Sequence, residues 1–205
     1  MPGLIDSDEG LAFGSGLQFQ NTIGDAGLGV TTALVASDDF NRADGALTTP
    51  WVQTMISFTR NVVIATNAVT GDTASDSAAR YAADFANNQY SQAVVQASAA
   101  GANGWGVAVR MSAVRDGYVL RRASGVVILS RWDGASGLTQ LAAAADPGFV
   151  TSDVIRLEAE GTTLRGLRNG TQFVTATDAT YASGDPGVYF ASTTAKLDDW
   201  QGGDL

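Results

Sequence analysis

The sequence predicts an all-β sandwich, and three observations carry that expectation. Apolar and polar residues alternate with period two: Trp105, Val107, Val109 and Met111 alternate with Gly106, Ala108 and Arg110, and Ile155, Leu157 and Ala159 with Arg156, Glu158 and Glu160, the pattern of half-buried strands. Turn residues punctuate the chain at short intervals and leave no helical spacer between strands. The two ends also match. Asp38-Asp39-Phe40 opens the patterned region and Leu197-Asp198-Asp199-Trp200 closes it, as the adjacent first and last strands of a closed sandwich would require.

Residues 1–36 differ from the rest. Seven glycines between Gly3 and Gly29 interrupt any period, while Leu4, Ile5, Leu11, Phe13, Leu17, Phe19 and Ile23 recur among them. Such a stretch builds no core of its own, yet it is too apolar for a solvated linker. It reads as an arm that orders against another surface, or equally as extra edge strands on its own domain. Gly14-Ser15-Gly16 and Gly27-Leu28-Gly29 lack the strand-loop-helix context and the lysine of a nucleotide loop.

Residues 37–205 form the domain. Tyr90 to Ser98, Trp105 to Met111, Gly117 to Arg121, Gly125 to Trp132, Ile155 to Glu160 and Gly187 to Phe190 read as strands. Asn169-Gly170 lies between Thr163 to Arg168 and Thr171 to Val174 and supplies the positive φ angles of a type I′ hairpin. Asp116-Gly117, Asp133-Gly134, Asp146-Pro147-Gly148 and Asp185-Pro186-Gly187 mark further reversals. Ala142 to Ala145 would suit one helical turn.

Composition removes much chemistry. The 205 residues include no cysteine and no histidine, so disulfides, thiolate zinc sites, imidazole-ligated metals and histidine-based triads are excluded. Net charge is −9, and eleven of the twelve basic residues are arginine, which argues against nucleic acid as a partner. No apolar run reaches the roughly 20 residues that span a bilayer, and Met1 to Gly10 is acidic where a signal peptide is basic and then apolar. The chain is therefore expected to be soluble, without membrane insertion or a standard secretion signal.

The ordered series FNRADG, YSQAVVQAS, GWGVAVRM, DGYVLRR, VILSRWDG, DVIRLEAEGTTLRGLRNGTQ, ASGDPGVYF and KLDDWQGGD, with Trp51 after the first motif, resembles the concanavalin A-like lectin/glucanase jelly roll. It is similar in particular to versions found in bacteriophage minor tail and other virion structural proteins. The resemblance covers Ser37 to Asp204 and implies two antiparallel sheets of about six or seven strands each, with one concave face that often binds glycans. It further implies a non-enzymatic structural part of a tailed-phage particle, located in the virion and oligomeric. Residues 1–36 would contact other virion proteins, and the jelly roll would adhere to host polysaccharide. A free-standing carbohydrate-binding module is the alternative, and a glycoside hydrolase a weaker one.

Site candidates follow from the same residues. Sugar rings stack on exposed aromatics beside hydrogen-bonding arginines, which nominates Trp132, Tyr118, Trp105 and Arg121, with Trp132 first because a tight turn follows it. Trp105 equally suits a core, as do Trp51 and Trp200. Many related modules hold structural Ca²⁺ between their terminal strands, and Asp39 and Asp198 would be its oxygen ligands here; no other cofactor is expected. Glu158 and Glu160 share a strand face at about 7 Å, within the spacing of glycosidase carboxylates. The family's Glu-x-Asp-x-Glu strand nevertheless lacks its central Asp here, and Arg156, Arg165 and Arg168 suggest a salt-bridge ladder instead.

Overall fold

The computed structural model describes residues 18–19, 33–54, 60–98 and 104–205. Among them the chain forms two antiparallel sheets in a jelly-roll sandwich, and helical structure is limited to one 3-10 turn, Gly134–Ser136. The first half carries β1 (Gln18–Phe19), β2 (Leu34–Asp38), β3 (Gly45–Ala46), β4 (Trp51–Gln53), β5 (Val62–Ile64), β6 (Val69–Gly71), β7 (Ser77–Tyr81) and β8 (Gln89–Ala97). The longer strands follow as β9 (Trp105–Met111), β10 (Gly117–Ala123), β11 (Val126–Asp133) and β12 (Gly137–Ala145). The chain closes with β13 (Val154–Glu160), β14 (Thr163–Arg168), β15 (Thr171–Thr177), β16 (Asp185–Phe190) and β17 (Lys196–Asp204).

The smaller sheet has seven strands in the order β12-β11-β10-β9-β16-β7-β4. The larger has ten, running β15-β14-β13-β8-β17-β6-β5-β3, with β2 also beside β17 and β1 beside β2. The larger sheet thus exceeds the six or seven strands expected, because short strands from the first 71 residues extend it past β17. β2 spans the expected boundary between residues 36 and 37, and β1 pairs with its start. Otherwise the expected arm, including both glycine loops noted above, lies outside the described residues.

The terminal strands of the domain are adjacent, with Trp200 of β17 opposite Asp38 of β2. Between the sheets Trp51 and Trp200 meet edge-on at 4.7 Å, and Trp200 stacks on Tyr81 at 5.2 Å. Burying rings of this size stabilises the sandwich by roughly 2–3 kcal/mol each before entropy is counted. Polar groups also tie one sheet to the other. The Trp51 indole N–H donates to Asp38 at 2.7 Å, the Arg42 guanidinium donates to the same carboxylate at 2.6 and 2.9 Å, and Ser91 Oγ links the Trp200 indole to the Gly187 carbonyl.

The hairpin at Asn169-Gly170 forms as expected, with φ of 49° and 78° between paired Arg168 and Thr171. Two local expectations are corrected. Ala142 to Ala145 is not helical: it belongs to β12, where pairing with Val126 to Leu129 outweighs alanine's helix propensity. Asp185-Pro186-Gly187 is not a free turn but the start of β16, and the proline is tolerated because the register shifts between Asp185 and Gly187.

Candidate functional site

Strand register sets a row of residues on the outer face of the smaller sheet. Ala78 of β7 is opposite Tyr189 of β16, Tyr189 is opposite Gly106 of β9, and Gly106 is opposite Arg121 of β10. Their sequence neighbours Trp105, Val107, Leu120, Val188 and Phe190 point the other way into the core. Gly106 places no side chain between the tyrosine and the arginine, and it is itself buried.

At the end of this row is a cleft of about 260 Å³ lined by Arg60, Ser75, Asp76, Arg121 and Tyr189, with Ala74, Gly104 and Ala191 completing its wall. The Tyr189 hydroxyl donates to Asp76 Oδ1 at 2.5 Å. Burial and the neighbouring Asp76 carboxylate push the Tyr189 phenol well above the usual tyrosine range. Asp76 keeps acceptor capacity on its remaining lone pairs. Arg121 Nε is buried with no hydrogen-bond partner. The cleft therefore sets a cationic donor beside a carboxylate acceptor, which the buried Tyr189 hydroxyl holds in place.

Of the aromatic and arginine candidates, the structure brings Arg121 to this cleft and buries the three rings. Trp105 and Tyr118 are 0% exposed and face the core, where Trp105 packs edge-on against Phe149 at 5.7 Å and the Tyr118 hydroxyl donates to Asp178 at 2.8 Å. Trp132 lies on the outer face but is only 1% exposed. Two strands, β9 and β10, separate Tyr189 of β16 from Trp132 of β11, yet their rings meet edge-on at 5.5 Å. They roof over the small residues of β9 and β10, forming a second apolar cluster with Ala78, Ala108, Met111 and Val119. A ring folded down in this way offers no face to a pyranose, so the stacking role expected for these three residues is corrected. Arg122 points away from Arg121, as strand geometry requires, and pairs with Asp146 at 2.7 Å.

The acidic candidates are engaged elsewhere. Asp38 serves Arg42 and Trp51, Asp39 accepts from the Asn41 amide at 3.1 Å, and Asp198 accepts from the Asp199 amide at 2.8 Å. Among the described residues no three acidic side chains are grouped to hold a metal ion, so the calcium set around Asp39 and Asp198 does not assemble. Burial and the charges of Asp199, Asp39 and Asp38 instead push the Asp198 carboxyl up. Glu158 and Glu160 sit on the larger sheet, away from the cleft. Arg156 binds Glu158 at 2.7 Å and Arg165 binds Glu160 at 2.8 Å, as a ladder predicts. Arg168 is not part of it: three positions after Arg165 on β14, it points to the opposite face, and it pairs with Asp153 at 2.7 Å.

Sequence reasoning missed Asp76 and Tyr189. They are 113 positions apart, and only the β9–β16–β7 register joins them. The outward phase of Tyr189 within Gly187 to Phe190 was the one available signal.

No protein-family model matches the chain, and no curated protein does. Solved structures do resemble it. The carbohydrate-binding module CBM66 from Bacillus subtilis is 15% identical with a TM-score of 0.57, covering 78% of this chain and 95% of its own. A β-1,3-1,4-glucanase (lichenase) derived from a mouse hindgut metagenome is 10% identical with a TM-score of 0.57, covering 83% and 98%. A galectin-like protein of unknown function from Bacillus subtilis is 10% identical with a TM-score of 0.54, covering 74% and 88%. The fold is therefore a concanavalin A-like, galectin-like jelly roll. Its neighbours include both binding modules and glycoside hydrolases, so the fold by itself does not decide whether this chain is an enzyme.

Proposed function

We propose that this protein is a non-catalytic, glycan-binding jelly roll carried as a structural component of a tailed-phage particle. The cleft at Asp76, Arg121 and Tyr189 carries the binding half of this reading. It sets donors and acceptors in one cleft, the chemistry that sugar hydroxyls require. Solved neighbours with the same fold include a carbohydrate-binding module and a glucanase, which accords with it.

The non-catalytic half rests on carboxylates. Among the described residues lining the cleft Asp76 is the single one, whereas glycoside hydrolysis generally uses a pair. Glu158 and Glu160 are ion-paired on the other sheet.

The particle half rests on the motif series from Ser37 to Asp204 and its similarity to virion versions of the fold. In this reading residues 1–36 contact other virion proteins and the domain assembles as a homo-oligomer. Mass spectrometry of purified particles is expected to find the chain at stoichiometric copy number. Its absence from particles would leave a free-standing carbohydrate-binding module. For binding, a glycan array probed with the full chain is expected to show saturable signal that Asp76→Ala removes.

A further inference from the structure

We infer that the cleft selects saccharides bearing a carboxylate, with Arg121 as the residue that reads it; this rests on the glycan-binding reading above. The observation is an arginine left unserved. Elsewhere guanidinium groups find anions or carbonyls: Arg156 has Glu158, Arg168 has Asp153, Arg122 has Asp146, and the buried Arg110 donates to the carbonyls of Asn87 and Tyr181. Arg121 is partly buried and its guanidinium makes no hydrogen bond or ion pair among the described residues, with Nε fully covered and without a partner. A guanidinium taken from water without compensation is costly.

The acid in the cleft does not relieve it. Asp76 lines the same cleft but forms no ion pair with Arg121, and its Oδ1 is held by the Tyr189 hydroxyl. The planar fork of an arginine matches a carboxylate through two parallel N–H···O bonds. A hexuronate fits both halves of the cleft, with its carboxylate on Arg121 and its ring hydroxyls donating to Asp76. A neutral hexose satisfies the second half alone. Arg121 is only partly buried and lines the cleft beside Gly104.

The test is calorimetric titration of the full chain with an oligosaccharide of alternating glucuronate and neutral residues, and with the same oligosaccharide after carboxyl reduction to glucose. The acidic form is expected to bind at least about tenfold more tightly. Arg121→Gln should abolish the difference in affinity between the two forms. Arg121→Lys should restore part of the difference, because the charge returns without the fork. Thermal unfolding of Arg121→Gln controls for folding and is expected to match the wild type or exceed it. Equal binding of both sugars, insensitive to Arg121→Gln, would overturn the inference and leave the glycan reading standing. Binding of neither sugar, with no signal on a broad glycan array, would overturn both.

Discussion

The Tyr189 hydroxyl holds Asp76 at 2.5 Å, joining β16 to the loop before β7 and fixing one wall of the cleft. Tyr189→Phe removes the donor and leaves a carboxylate short of a partner, so it is expected to cost about 1.5–3 kcal/mol in urea unfolding.

The same bond sets an alkaline limit. Burial and Asp76 raise the Tyr189 phenol, and burial pushes Tyr118 up to about 12. A group whose folded pKa exceeds its unfolded value adds stability that is complete below the unfolded value, near pH 10 for tyrosine, and that is lost as pH rises through the folded one. Stability is therefore expected to fall above about pH 10, and to fall less in Tyr189→Phe. Unfolding midpoints measured between neutral pH and pH 12 check this.

Trp132→Ala empties a fully buried site on the outer face. Its expected cost is about 3–5 kcal/mol, read as a lower melting temperature. Where the variant is still folded, saccharide affinity should change much less than in Arg121→Gln. A selective loss of binding at unchanged stability would restore Trp132 as a stacking platform.

Gly106→Ala tests the close approach of β9 to β10 beside the cleft. A Cβ there would lie 1.9 Å from the Leu120 carbonyl oxygen, so the β9–β10 ladder must open. The expected cost is about 3 kcal/mol, with faster amide exchange along both strands.

Asp198→Asn is expected to raise the melting temperature at pH 7. Burial and the like charges of Asp199, Asp39 and Asp38 raise the Asp198 carboxyl, so its favourable contribution exists below the unfolded carboxylate range and is lost as pH rises through the folded value. At neutral pH the ionised group is a liability, and the advantage of the variant should shrink toward pH 3, below the unfolded aspartate value of about 3.9. An advantage independent of pH would contradict this.

The sandwich was legible because strand alternation and turn chemistry are local. Trp105 to Met111 and the Asn169-Gly170 hairpin needed no knowledge of distant partners, and Trp51 and Trp200 are buried between the sheets as their apolar setting predicts. The site was much less so. Alternation tells which residues share a face but not whether that face stays open, and Trp132 looked exposed because nothing near it in sequence announces Tyr189. Arg121 was a candidate from sequence, while Asp76, which lines the same cleft, depends on β7 and β16 pairing across more than a hundred residues. Ala142 to Ala145 misled because propensity is weaker than the hydrogen bonds that β11 provides.

The measurement that bears most directly on the central claim is amide chemical-shift mapping of the full chain during titration with an array-selected oligosaccharide. Shifts concentrated at Ser75, Asp76, Gly104, Arg121 and Tyr189, with the Arg156–Glu158 face silent, are the predicted result. Shifts confined to the outer face of the larger sheet, or none at saturating sugar, would contradict it.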